Sequence, residues 1–166
     1  MKAQSGFTLV ELMIVLAIIG ILLAYAIIES GQANAKYLVE SYTKEIYSFL
    51  MKAKNDAANT NTLVSVRLTA QPPSTHGFAY RDNNANNNFN AGEPTTTPGP
   101  QFAITSTVGG GLPATIAFDR RGITTNAQTI NITGYPPNIS PGVDCIVVSS
   151  TRINLGRITG GVCVQQ

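Results

Sequence analysis

An uncharged apolar run sits almost at the start of this chain, and a single carboxylate interrupts it. Gly6-Phe7-Thr8-Leu9-Val10-Glu11-Leu12 opens the run, and residues 12–28 carry no charge. Ahead of it stands a short polar leader with one basic residue, Lys2. A bilayer-spanning helix needs about 20 mostly apolar residues, and residues 7–28 supply that length. A carboxylate inside such a span is costly, so Glu11 is expected to have a function and a partner. Lys2 favours a cytoplasmic N-terminus, with the rest of the chain on the far side of the membrane, in the periplasm or its equivalent.

Two plainer readings compete. A secretory signal is cut after its apolar core, behind small residues, and Ala24-Tyr25-Ala26 imitates such a site. A plain N-terminal membrane anchor accounts for the apolarity, but not for a glutamate four residues after Phe7. The better signal lies before the core. Gly6, Phe7, Glu11 and Gly20 stand where the class III signal of type IV pilins and pseudopilins has them, and the segment resembles that signal over about twenty consecutive residues. The resemblance implies that a membrane-bound prepilin peptidase cuts between Gly6 and Phe7 and methylates the new N-terminus at Phe7. It also implies that the apolar helices bundle into a filament, where Glu11 of one subunit faces the Phe7 amine of its neighbour. A carboxylate and an ammonium attract strongly at low dielectric, while either alone is costly. Such a pair sets register more than it adds net stability.

The 166 residues suffice for one small domain and one long helix. Charged residues make up 12% and the net charge is +2, which marks neither a strongly basic nucleic-acid binder nor an acidic tail. Residues 32–59 contain no proline, and Leu38, Tyr42, Ile46, Phe49, Ala53 and Ala57 draw a helical stripe. That stripe predicts a helix that continues beyond the membrane and packs on a sheet. Many members of the resembled family carry proline where this chain has Ile28, so the usual kink is not expected, although Gly31 could soften the helix there.

After residue 59 the period changes. Strands are predicted at 63–68, 77–81, 102–108, 115–119, 129–133, 145–149 and 152–159, separated by turns rich in Gly, Pro and Asn. Pro72-Pro73 ends the first of them. The expected fold is α+β and type IV pilin-like: a long N-terminal helix, with a membrane half and an amphipathic half, packed on an antiparallel sheet. The expected organisation is a prepilin leader over 1–6, a membrane or filament-core helix over 7–31, and an exposed head over 32–166.

Further along, Ala53-Lys54-Asn55-Asp56-Ala57 followed by Asn61-Thr62-Leu63-Val64 resembles the helix-to-strand passage of H-type minor pseudopilins and FimT/FimU-type minor pilins. Phe118-Asp119-Arg120-Arg121-Gly122 resembles their F-D-x-x-G turn. Cys145-Ile146-Val147-Val148-Ser149 and Asn154-Leu155-Gly156-Arg157 resemble their last hairpin, and the resemblance implies a disulfide closed by Cys163. From the residues alone, Cys145 and Cys163 show no CxxC or zinc spacing. Outside the cytoplasm they would form a disulfide worth roughly 3 kcal/mol in the chain-entropy view; two buried thiols are the alternative.

Enzyme signatures are missing, and no catalytic residue or cofactor is expected. His76 is the lone histidine, beside a predicted turn, and no nucleophile-base pair can be assembled around it. Gly109-Gly110-Gly111 lacks the Lys and Ser/Thr of a phosphate loop and is read as a flexible turn. The stretch 82–93 places Asp82, Asn84, Asn86, Asn88, Asn90 and Glu93 at alternating positions and a twelfth position, as in an EF-hand calcium loop. It has Asn87 at the sixth position, only two carboxylates and no expected flanking helices. Weak calcium binding and a solvated Asn-rich loop are both open. Arg120, Arg121, Arg152 and Arg157 all fall in the last third. The FimT resemblance implies DNA capture by an arginine-bearing hairpin, with Arg152 and Arg157 as its candidates, but Ile158-Thr159 follow where a second basic residue belongs. Scattered solvated arginines are the competing reading.

The expected role is therefore that of a structural subunit of a type IV pilus or type II secretion pseudopilus, inserted in the bacterial inner membrane. Its expected partners are other pilin or pseudopilin subunits, the peptidase and an inner-membrane assembly platform. Of the subunit types, a minor one near the tip fits the later motifs. A major pilin forming the filament body and a DNA-binding minor pilin are the alternatives.

Overall fold

A long helix, α1, runs over Leu9–Thr60. The structure is a computed structural model and describes residues 7–70, 77–84, 86, 88, 90–96, 103–106 and 112–166, with the side chains of 25–30, 70 and 77 left out. Gly6, Pro72-Pro73, His76, Asn87 and Gly109-Gly110-Gly111 lie outside the described residues. The chain divides into two units, Met1–Ala35 and Lys36–Gln166.

In the first unit, each large apolar residue of α1 from Leu9 to Leu23 is exposed. In the second unit it shows one buried stripe: Val39, Tyr42, Ile46, Leu50, Ala53 and Ala57. The centre of the stripe differs slightly from the sequence reading. Leu38 is 37% exposed and Phe49 is half-buried, while Val39, Thr43 and Leu50 point inward. Thr43 tolerates full burial because its hydroxyl donates to the Val39 carbonyl at 2.8 Å. The helix stops at Asn61, whose φ of 53° is the left-handed conformation of a C-terminal cap. Thr62 N–H then reaches back to the Ala57 carbonyl, satisfying an end carbonyl.

Among the described residues eight strands follow: β1 Val64–Ala70, β2 Gly77–Asp82, β3 Ala103–Ser106, β4 Ala114–Phe118, β5 Gln128–Thr133, β6 Cys145–Val148, β7 Ile153–Thr159 and β8 Val162–Gln165. All pairings are antiparallel, and they form two sheets rather than one: β2-β1-β4 and β3-β5-β6-β7-β8. Alternation sets which side faces in. Gln128, Ile130 and Ile132 of β5 are buried while the residues between them are half-buried. Val66, Leu68, Ile116, Phe118, Ile146 and Val148 are buried in the core as well. Each such side chain contributes roughly 1.5–3 kcal/mol by leaving water.

A buried polar joint links the sheets. The Gln128 amide donates to the Thr115 carbonyl at 3.2 Å and accepts the Ser106 hydroxyl at 2.6 Å. The helix is tied by polar side chains to β2 and to the segment before β6 as well. Glu40 accepts Gly142 N–H at 2.7 Å, and Asp56 pairs with Arg81 at 3.0 Å.

Candidate functional site

The N-terminal end of α1 carries the residues that the sequence singles out. Phe7 is 88% exposed. Thr8 caps the helix: its hydroxyl oxygen accepts Glu11 N–H at 3.2 Å. Glu11 Oε2 in turn accepts both the Thr8 N–H and the Thr8 hydroxyl, each at 3.1 Å. This reciprocal arrangement is a capping box. It satisfies orphan donors of the first turn, and it places a negative charge at the positive end of the helix dipole. Thr8 was missed by the sequence reading, although the Thr-x-x-Glu spacing signals it. Among the described residues no helix is long and apolar enough to cross a membrane. The expected span over 7–28 runs partly through residues whose side chains fall outside the description.

The turn after β4 is built on Asp119. Its carboxylate accepts Arg121 N–H at 2.9 Å and Ile123 N–H at 2.8 Å. Its backbone N–H and carbonyl close the turn with Ile123 and Gly122. The backbone bonds to Ile123 and Arg121 hold the Asp119 carboxyl below the ordinary carboxylate value. Gly122 has φ +72°, and an added Cβ would lie 3.2 Å from Lys54 of α1. Lys54 in turn donates to the Thr151 carbonyl in the β6–β7 turn. The Phe-Asp-x-x-Gly motif therefore seats the end of α1 on two turns of the sheets. A surface cavity of about 650 Å³ lies beside it, lined by Asn61, Thr62, Leu63, Asp119, Arg120 and Arg121.

Cys145 and Cys163 are joined by a disulfide, with their Cα atoms 6.0 Å apart. The bond links β6 to β8 across β7. Gly156 stands at the crossing, and a Cβ there would meet the Val164 carbonyl at 2.7 Å and both sulfurs within 3.1 Å. Nearby, buried Asp144 accepts the Tyr135 hydroxyl and Ile158 N–H, both at 2.6 Å. Burial first, and then the bond to Asp144, raise the Tyr135 hydroxyl far above its ordinary range.

The loop after β2 closes on itself. Asp82 and Asn84 both accept Asn86 N–H, and Asn86 accepts Asn88 N–H. Glu93 spends one oxygen on Asn83 N–H and the other on Asn90 N–H, at 3.0 and 2.9 Å. Asp82 and Glu93 are buried, and the loop is zipped beyond them by Arg81 N–H on the Pro94 carbonyl. Among the described residues no group of three or more His, Cys, Asp or Glu stands together to hold a metal.

Arg120 and Arg121 line the cavity beside the Asp119 turn. Arg152 sits in the β6–β7 turn, bonded through its backbone to Ser149. Arg157 lies five residues further along, roughly 16 Å away at strand rise, and its guanidinium donates to Ser140.

Comparison with known proteins decides the family. The profile described as a prokaryotic N-terminal methylation motif matches residues 1–27. The profile described as type II transport protein GspH matches residues 43–152, most of the head. The chain belongs to the GspH family. Two fimbrial proteins of Pseudomonas aeruginosa are each 43% identical to this GspH-family protein over 65 residues. That stretch is 39% of this chain and spans only 42% of each relative's length. Crystal structures of the type IV minor pilin FimU of P. aeruginosa share the fold. One aligns with a TM-score of 0.56 at 14% identity, covering 76% of this chain and 92% of FimU. The other has a TM-score of 0.53 at 15% identity, covering 76% and 97%.

Proposed function

We propose that this GspH-family protein is a minor structural subunit of a type IV pilus or type II secretion pseudopilus. It associates with other pilin-like subunits through the first half of α1, while the head stands outside the helix bundle. The observation that carries this reading is the contrast between a head with a buried core and an N-terminal helix whose large apolar residues, from Leu9 to Leu23, are all exposed. A surface of that kind needs lipid or other helices around it. The methylation-motif match supports cleavage between Gly6 and Phe7 by a prepilin peptidase, and insertion in the inner membrane before assembly by its platform.

Glu11 is the assembly residue in this reading. Within the single chain its carboxylate is held by Thr8. In the filament the methylated Phe7 amine of a neighbour would take over as its partner, since an ammonium binds a carboxylate more strongly than a hydroxyl does at low dielectric. The test is the Glu11→Ala variant in the native cell. Membrane-inserted, processed protein that is absent from sheared filaments is the expected result. Wild-type filament content would overturn the role of Glu11. Loss of membrane insertion would assign Glu11 to targeting instead.

A further inference from the structure

β8 is the outermost strand of the five-stranded sheet, and it buries little. Val162 is 66% exposed and Val164 is 53% exposed; only Cys163 turns partly inward. An edge strand without apolar anchors depends on its ladder and on whatever else ties it down. Its ladder to β7 holds four residue pairs, from Gly156↔Gln165 to Thr159↔Val162. Three further bonds are at the surface or chain end: Gln166 N–H to the Leu155 carbonyl, the Gln166 amide to the Gly142 carbonyl, and Asn154 to Gln165. The connection from β7 is Gly160-Gly161, with φ +60° and +82°. That turn suits a two-residue hairpin, but each glycine gains much freedom when it is released.

The strands beneath β8 are held differently. β6 lies between β5 and β7 with Cys145, Ile146 and Val148 all buried. β7 is pinned to the segment before β6 by Asp144, which accepts Ile158 N–H and donates its own N–H to the Gly156 carbonyl. Neither contact involves β8. A freed Cys145 thiol would remain in its buried site as a small apolar group.

We propose that the Cys145–Cys163 disulfide is a latch for the C-terminal strand. With the bond closed, β8 covers the outer edge of β7. With the bond open, β8 and Gln166 leave the sheet while α1 and β1–β7 stay folded, and the outer N–H and C=O groups of β7 become a free edge. The step is thiol–disulfide exchange with a dithiol partner. Two electrons and two protons pass from the partner to the protein, the Cys145–Cys163 bond breaks into two thiols, and the partner's own sulfurs become bonded. Closure runs the same exchange backwards with a disulfide-carrying oxidant. Gly156 is the positioning residue, because only a residue without Cβ lets the bond pass over β7.

Hydrogen exchange on the full chain in detergent, read by mass spectrometry before and after dithiothreitol, tests the latch. Amides of 162–166 are expected to exchange at least about 10-fold faster after reduction, while 128–133 and 145–148 change by less than about 2-fold. Unchanged protection over 162–166, with both thiols shown free by alkylation, overturns the proposal. So does a uniform loss of protection in all strands, which would make the bond a global staple. Gly156→Ala provides a second readout. Free thiols after air oxidation, with the same local exchange pattern, are expected; full disulfide formation in that variant would remove Gly156 from the argument. Should the variant not fold, reduction of the natural chain still decides.

Discussion

The two halves of α1 obey different physics. From Val39 to Ala57 the helix spends its apolar residues on one stripe, and the chain covers that stripe with its own sheets. From Leu9 to Leu23, Glu11 apart, it carries apolar residues on every side, and each large one is exposed. The head half buries its apolar face; the N-terminal half leaves its large apolar residues exposed. Polar groups differ in the same way. Thr43 of the head half is buried and served by its own helix, whereas Glu11 stands exposed at the helix start in a capping box with Thr8.

The sharpest way to break this contrast is to remove the Glu11 charge. Glu11→Ala is expected to lower filament incorporation by at least about 10-fold, the scale of an unpaired ammonium left in a bundle, as measured by immunoblot of sheared filaments. The head should melt as before.

Truncating each half of the helix comes next. Leu50→Ala should cost the head about 2–5 kcal/mol, the usual range for a buried leucine. Leu16→Ala, at a site 60% exposed, should change head stability by less than about 0.5 kcal/mol. Denaturation of the full chain in detergent, followed by fluorescence of buried Tyr42 and Tyr80, compares them. Equal losses would show that the halves are not energetically separate.

Gly122→Ala probes the seat of the helix end. A left-handed alanine costs about 1–2 kcal/mol, and its Cβ also crowds Lys54. The same denaturation assay should register a loss of that size; no change would mean that the turn relaxes freely.

Thr8→Ala should leave the head untouched and weaken the first turn of α1 by about 1 kcal/mol. Faster amide exchange at residues 9–12 is the expected sign.

The smallest effect is a pH dependence. The folded pKa of Asp119 is depressed by backbone N–H groups, so its contribution is full above the ordinary aspartate value. It fades as pH falls through the lower folded value. Natural protein should lose stability in acid slightly faster than Asp119→Asn, and parallel acid titrations would discard this assignment.

Much of this architecture could be read beforehand. The break in period after residue 59 marked the helix end, and the strands at 129–133, 145–149 and 152–159 were visible from alternation bounded by turn residues. The core stripe was displaced by one position in places, because Leu38 and Val39 are equally apolar and only the sheets decide which one turns inward. β8 went unseen as a strand of its own, since Val162-Cys163-Val164 is too short to establish a period. The division into two sheets was also hidden, because strand pairing joins residues far apart in sequence. In the loop at 82–93 the spacing of oxygens was legible, but their use on the loop's own N–H groups was not.

By itself the sequence determined that this chain has an apolar helix with a lone carboxylate, a second helical half with one apolar face, and a strand-rich head. Those are matters of local period and charge, and they need no knowledge of distant contacts. Only the tertiary structure decided that Glu11 is held by Thr8, that Lys54 joins the Gly122 and Thr151 turns, and that Gly156 lets a disulfide cross β7. The physical reason is that hydrogen bonding and steric exclusion act over a few ångströms, and the folded chain alone determines which residues come that close.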